Sequence, residues 1–290
     1  MSAAWGVLSS VVGAAIVAYG LSDIFLTLVH PHARGRLSRG IVVGIWRLTS
    51  RWGRRARAAS GPLAAISVVL AWAAIQAVGW AFIYLPHVPD GFLYSAGMDP
   101  ARYPDALEAL YFSLVSLSTL GFGEVVPIDP VVRLLSPLQA VTGFALLTGG
   151  ATWLLQLFPT LARRRSTALH LTLLGRAGYP EQLSEIDASA AAVVLHTVAQ
   201  QIAGARVDLS QSPESYYFRE GEAPTSLGHA LPVAQALADA AARSPHAQLR
   251  MAGSVLDGAL EDLGGCLRDD FGAAGDSRVD IMEAFARDHS

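Results

Sequence analysis

Six consecutive residues, Thr119-Leu120-Gly121-Phe122-Gly123-Glu124, have the types and spacing to strip water from a cation. A dehydrated cation needs a cage of oxygens that replaces its hydration shell at little net cost, and backbone carbonyls can supply it. Aiming successive carbonyls the same way requires a strand whose residues alternate in conformation. Half of them then sit at positive φ, which glycine adopts without steric penalty. Gly121 and Gly123 have that alternate spacing. Thr119 would add a hydroxyl and a carbonyl at the inner end, with the carbonyls of Leu120, Gly121 and Phe122 stacked above it as a ladder of ion sites.

Such a ladder has to be held by the elements on either side. The stretch from Asp105 to Ser118 is apolar enough to enter a membrane partway. At about 14 residues it is too short to span one, since a spanning helix needs about 20. A re-entrant helix fits, because non-helical backbone at membrane depth is tolerated where protein buries it or where it lines a water-filled path. A glycine-rich turn between two core elements is the plain alternative for Gly-x-Gly taken alone. The half-span before the run and the full apolar span after it weigh against that alternative.

The segment from Ala109 to about Leu155 resembles the pore module of tetrameric potassium channels, whose usual filter reads Thr-Val-Gly-Tyr-Gly-Asp. Ala109-Leu110-Tyr111-Phe112-Ser113 matches the family's aromatic pair, and Pro127 falls at the familiar place after the filter. The match continues to Arg133 and on to Gly143, at the position of the inner-helix hinge glycine. The resemblance covers about residues 62 to 158, with three departures: Leu120 for Val, Phe122 for Tyr and Glu124 for Asp. Phe122 lacks the hydroxyl that normally holds the filter from behind. The resemblance implies a homotetramer that passes K+, carried as the transported ion at Thr119, Leu120, Gly121, Phe122 and Gly123 with no other cofactor. It also implies that Glu124, Tyr111 and Phe112 support the filter and that Gly143 is a gating hinge. For Gly149 and Gly150, hinge and close helix packing stay equally open.

Composition fits a membrane protein with a soluble extension. Mean hydropathy is positive and 16% of the 290 residues are charged, yet the apolar runs are confined to the first 160 residues. All 21 basic residues are Arg, which with the Ala and Gly richness points to a GC-rich bacterial genome. The single cysteine, Cys266, excludes an intrachain disulfide and any multi-cysteine metal site. Apolar spans are expected over 5–29, 62–85 and 131–158, and the first lacks the basic region and cleavage site of a signal peptide. The fold class is therefore an all-α membrane protein: three transmembrane helices, a re-entrant pore helix with a filter, and a cytoplasmic helical bundle. The expected domains are an N-terminal transmembrane helix at 1–30, a basic amphipathic linker at 31–61, the pore module at 62–160 and a regulatory domain at 161–290.

Arginine sets the expected orientation in the plasma membrane. Arg34, Arg36, Arg39, Arg47, Arg51, Arg54, Arg55 and Arg57 follow the first span, and an Arg163-Arg164-Arg165 turn follows the third. Both should be cytoplasmic, which leaves the N-terminus outside and the C-terminus inside. Asp90, Asp99, Asp105, Glu108, Glu124 and Asp129 would then form an acidic outer vestibule that concentrates cations. The stretch 41–48 reads as an amphipathic helix at the headgroup level, with Trp46 and Trp52 as anchors and the arginines near anionic lipid. Asp23, with Thr27 and His30 on the same helix face, is expected to clamp the first span to another helix in preference to sensing protons, and Gln76 is expected to bond likewise. Pro137 softens the third span near its start, and Trp153 and Phe158 are candidates for a constriction or for interface anchors.

From Ser166 onward 8 arginines face 17 carboxylates, and amphipathic helices are expected over about 167–176, 180–204, 228–243, 246–265 and 277–288. The segment from Pro213 to Glu222 is an aromatic and acidic loop that either docks on its own bundle or holds an unidentified cytoplasmic ligand. No nucleotide-binding fingerprint, nucleophile with a base partner, metal-ligand cluster or phosphate loop is present in the sequence, so neither an enzyme nor a nucleic-acid binder is expected. Two readings remain: a conducting potassium channel, and a sensor or scaffold that keeps the pore-like fold with little conduction. Paired filter glycines favour conduction.

Overall fold

The computed structural model describes residues 3–28, 35–50, 59–219 and 223–289. Expectations for His30, Arg34, Arg51, Trp52, Arg54, Arg55, Arg57, Glu220, Gly221 and Glu222 lie outside the described residues. The helices are α1 (Ala3–Leu28), α2 (Arg36–Ser50), α3 (Ser60–Tyr84), α4 (Asp105–Leu117), α5 (Pro130–Arg176), α6 (Ala188–Gln211), α7 (Leu227–Ala242), α8 (Ala247–Phe271) and α9 (Arg278–His289). The described residues also form two short strands, β1 (Phe92–Tyr94) and β2 (Val125–Pro127), and short 3-10 turns. Among the described residues three helices, α1, α3 and α5, are long and apolar enough to cross a membrane, which makes this an all-α membrane protein.

The chain forms two compact units, Met1–Val43 with Ala64–Leu154 and Gly44–Leu63 with Leu155–Ser290. The boundaries between the units fall within α2, within α3 and within α5.

In the first unit α1 packs on α3 through small residues. A Cβ on Gly13 would lie 2.5 Å from the Gly79 carbonyl, and one on Gly79 would lie 2.8 Å from the Val17 side chain. Close approach of this kind is how helices associate where burial of apolar area gives no drive. Ser9 donates to the Phe82 carbonyl at 2.7 Å and Gln76 to the Val17 carbonyl at 3.2 Å, so Gln76 bonds across helices as expected.

α4 is the short helix before the filter. It starts after Pro104 with Asp105 and Glu108 in its first turn, where carboxylates suit the positive end of the helix dipole. α5 starts on Asp129, whose carboxylate accepts from the Val131 and Val132 amides at 2.8 and 3.2 Å, with Pro130 in the first helical position. Burial alone would raise the Asp129 pKa, but those amides and His87, 3.4 Å away, hold it below the usual carboxylate range.

α5 does not end near Thr160. It runs 47 residues to Arg176, so the expected turn at Arg163-Arg164-Arg165 is helical. Pro159 removes one backbone hydrogen bond but leaves the next turn intact. Beyond it Leu161, Arg164, Ala168 and Leu171 are buried at helical spacing, and that burial in the second unit carries the helix onward.

The second unit is a helical bundle whose core includes Leu195, Leu231, Leu256, Leu260, Leu263 and Phe285, all fully buried. The helix expected at 180–204 starts instead at Ala188, where the Asp187 carboxylate accepts from the Ser189 and Ala190 amides at 3.0 Å. α8 stops at Gly272, which adopts φ 70° and lets its amide and that of Ala273 close the last turn.

Candidate ion-conduction site

α4 delivers the chain to the filter, and its last turn runs over into it. The Thr119 amide donates to the Ser116 carbonyl and the Leu120 amide to the Val115 carbonyl, each at 3.1 Å. From there the backbone alternates: Thr119 has φ 58°, Gly121 φ 55° and Gly123 φ 85°, while Leu120 and Phe122 stay outside the positive-φ region. Alternation of this kind turns successive peptide planes the same way, which a carbonyl ladder requires. The two glycines are legible in the sequence; Thr119 is not. A β-branched residue at positive φ is disfavoured and persists only where its surroundings over-determine it. The signal available was its position, two residues before Gly121, in phase with both glycines.

Tyr111 donates its hydroxyl to Glu124. The bond joins α4 to the outer end of the 119–124 run. Phe112 is 6% exposed, and its ring meets Tyr84 and Phe92 edge-on at 5.1 and 4.8 Å. It fastens α4 to α3 and to β1. A cavity of ≈ 340 Å3 lies behind the filter, lined by Tyr111, Val115, Thr119, Gly121, Glu124 and Ser136 among others. Leu120 and Phe122 are 60% and 66% exposed.

The outer end is tied down by backbone. β1 and β2 pair antiparallel with Phe92 opposite Pro127 and Tyr94 opposite Val125, and the Ser95 amide donates to the Glu124 carbonyl at 2.9 Å. From below, Gln139 of α5 donates to both the carbonyl and the hydroxyl of Ser113 at 2.9 and 2.8 Å, and the Ser113 hydroxyl donates to the Ala77 carbonyl at 2.7 Å. All three elements around the filter therefore meet at one buried polar clamp. Sequence reading missed Ser113 and Gln139, although an amide inside an apolar helix was a usable signal.

Gly143 sits where α5 passes the C-terminal end of α4, and a Cβ there would overlap the Leu117 carbonyl. That close approach leaves no room for a side chain, and α5 is helical throughout Gly143, Gly149 and Gly150. A Cβ at Gly149 would lie 3.0 Å from Leu28, and one at Gly150 would lie 3.4 Å from Val69. Trp153 is buried against Trp72 with ring centroids 5.7 Å apart, which takes it out of the candidate constriction, while Phe158 is 65% exposed.

Asp23 is 3% exposed and accepts from the Leu37 amide at 3.0 Å, the Ser38 amide at 3.3 Å and hydroxyl at 2.5 Å, and Trp72 Nε1 at 2.9 Å. It caps α2 and ties it to α3, an interhelical clamp of the kind expected, and Thr27 adds a bond to Ser38 at 3.2 Å.

The structure revises the placement of Trp46. It is no isolated headgroup anchor: its ring joins a cluster in the second unit with Tyr216 and Tyr217 at 6.1 and 5.5 Å, and the Arg219 guanidinium lies 4.2 Å from its centroid. Tyr216 stacks on Phe271 at 4.3 Å, so the described part of the aromatic loop docks on its own bundle. Arg164 secures it, donating to the Ser215 and Phe218 carbonyls at 2.9 and 2.6 Å. Among the described residues no cluster of His, Cys, Asp and Glu could hold a metal ion.

A half-span helix, a strand alternating in backbone hand, an antiparallel strap and a polar clamp, set between two spanning helices, define a membrane-embedded pore module. Residues 68–158 match the family model described as "Ion channel". An uncharacterized membrane protein of Bacillus subtilis (strain 168), YdjJ, is 24% identical over 172 residues, covering 58% of this chain and 49% of the relative. The chain thus spans about half the length of the curated relative it matches. No solved structure matches the chain significantly.

Proposed function

We propose that the protein is a homotetrameric, potassium-selective channel, with K+ passing down the carbonyls of Thr119 to Gly123. The observation that carries the reading is the in-phase left-handed backbone at Thr119, Gly121 and Gly123. A single chain offers one strand with its side chains open, and a dehydrated ion needs a ring of strands, so further copies must close the site; the resemblance to tetrameric potassium channels makes that closure fourfold. In this reading the N-terminus is outside and the second unit cytoplasmic, where it modulates an inner-helix gate, with or without a bound ligand. Arg36 and Arg39 of α2 then lie near anionic lipid. Purified protein reconstituted in liposomes should release K+ and discriminate against Na+. A monomer or dimer that conducts, or a tetramer that passes neither ion, would overturn the proposal.

A further inference from the structure

The ring of His289 is 1% exposed and is held at both ends. Nδ1 lies 2.8 Å from the Phe285 carbonyl one turn back on α9, and Nε2 lies 2.6 Å from the carbonyl of Tyr216. A carbonyl oxygen only accepts. A neutral imidazole has one N–H and one lone pair, so it would set that lone pair against a carbonyl lone pair. Both bonds are satisfied together only when both nitrogens carry hydrogen, that is, when the ring is an imidazolium.

The surroundings suit that charge. Phe285 and Tyr216 face the ring at 4.2 and 4.8 Å, and Trp46 faces it at 5.8 Å, all within range of a cation–π attraction. The neighbouring Asp288 supplies a carboxylate, which accepts the Tyr216 hydroxyl at 3.0 Å. Burial, with that carboxylate, pushes the Tyr216 hydroxyl up, so it remains a neutral donor. Of the other elements at the cluster, α8 contributes the Phe271 ring, and the loop contributes Tyr217 and the opposing charge of Arg219 over Trp46.

We propose that His289 is a proton-operated latch: protonated, it joins α9 to the 213–219 loop beside Trp46 of α2, and on losing its proton it lets them part. The reading is independent of ion conduction. Its sign follows from linkage. Hydrogen bonds made only by the charged form favour that form in the latched state. The latch is therefore fully present at low pH and is lost as pH rises through the latched-state pKa.

The test is hydrogen–deuterium exchange on the full-length protein, corrected for intrinsic rates and read on 213–219 and 278–289 from about pH 5 to about pH 9, across the range in which histidine titrates. The corrected opening of both segments should rise together, by up to about tenfold per pH unit because one proton is linked. His289→Gln should expose both segments equally at low and high pH. His289→Lys, which keeps a cation, should hold them closed throughout. If the Gln variant does not fold, the wild-type step and the Lys variant still decide. A wild-type profile without a step overturns the latch, as does a step that survives in either variant.

Discussion

The filter and the aromatic cluster around Tyr216 are held in opposite ways. At the filter the chemistry is in the backbone, left-handed at Thr119, Gly121 and Gly123, with the neighbouring side chains Leu120 and Phe122 exposed. Rigidity comes from a few polar bonds behind it, at Tyr111–Glu124 and Gln139–Ser113. In the cluster the side chains themselves are the structure, with Tyr216, Phe285 and His289 buried and the rings of Trp46 and Phe271 half-buried against them. A site that must present carbonyls to an ion cannot bury them in its own chain, whereas a bundle core closes itself. In the proposed tetramer the first unit would be completed by further copies, whereas the second closes an apolar core within one chain.

The largest expected effect breaks the first half of that comparison. Gly121→Ala or Gly123→Ala should abolish K+ flux in liposomes with oligomer size little changed, because a Cβ opposes the φ of 55° or 85° while meeting nothing within 4 Å. Selective flux in either variant would place the conduction path elsewhere.

Gly143→Ala should instead disturb the fold of the pore unit. Its Cβ would overlap the Leu117 carbonyl, an overpacking that costs about 1–3 kcal/mol. The expected readout is a lower melting temperature of the purified oligomer together with weaker ion discrimination; unchanged stability with altered open probability would restore the hinge.

Leu256→Ala, in a fully buried position of α8, should destabilise the bundle by about 2–5 kcal/mol while leaving the K+ to Na+ ratio untouched. Chemical denaturation and liposome flux on the same preparation would check both halves, and a change in selectivity would show that the regions are not independent.

Tyr111→Phe removes one bond to a carboxylate and should weaken the outer end of the filter by about 1.5–3 kcal/mol. Sustained flux should decline faster than in wild type, and an unchanged time course would remove the brace. Arg163→Ala should do least. Its side chain is 60% exposed against Asp208, so loss of the pair should cost at most about 1 kcal/mol in a thermal melt.

Particular residues show how much of this was legible beforehand. The filter run, the half-span before it and the spans on either side could be read because each rests on a local property: glycine's tolerance of positive φ, or the length of an apolar run. Asp23 and Gln76 could be read as interhelical bonds because a polar group in an apolar helix needs a partner. The end of α5 could not, because Pro159 and the following arginines look like a stop, and burial of Leu161, Ala168 and Leu171 in the bundle overrides it. Nor could the place of Trp46, since an aromatic residue on an amphipathic helix suits a headgroup layer and a protein cluster equally well.

What the sequence by itself determined is therefore the kind of module and the location of its strand of alternating hand, since glycine spacing and apolar length act through covalent geometry and solvation one segment at a time. Only the tertiary structure decided which residues hold that strand and which glycine is a packing contact. It also decided that His289 bridges two carbonyls, because each of these depends on groups that meet across elements: Tyr111 with Glu124, Gly143 with Leu117, and His289 with Tyr216.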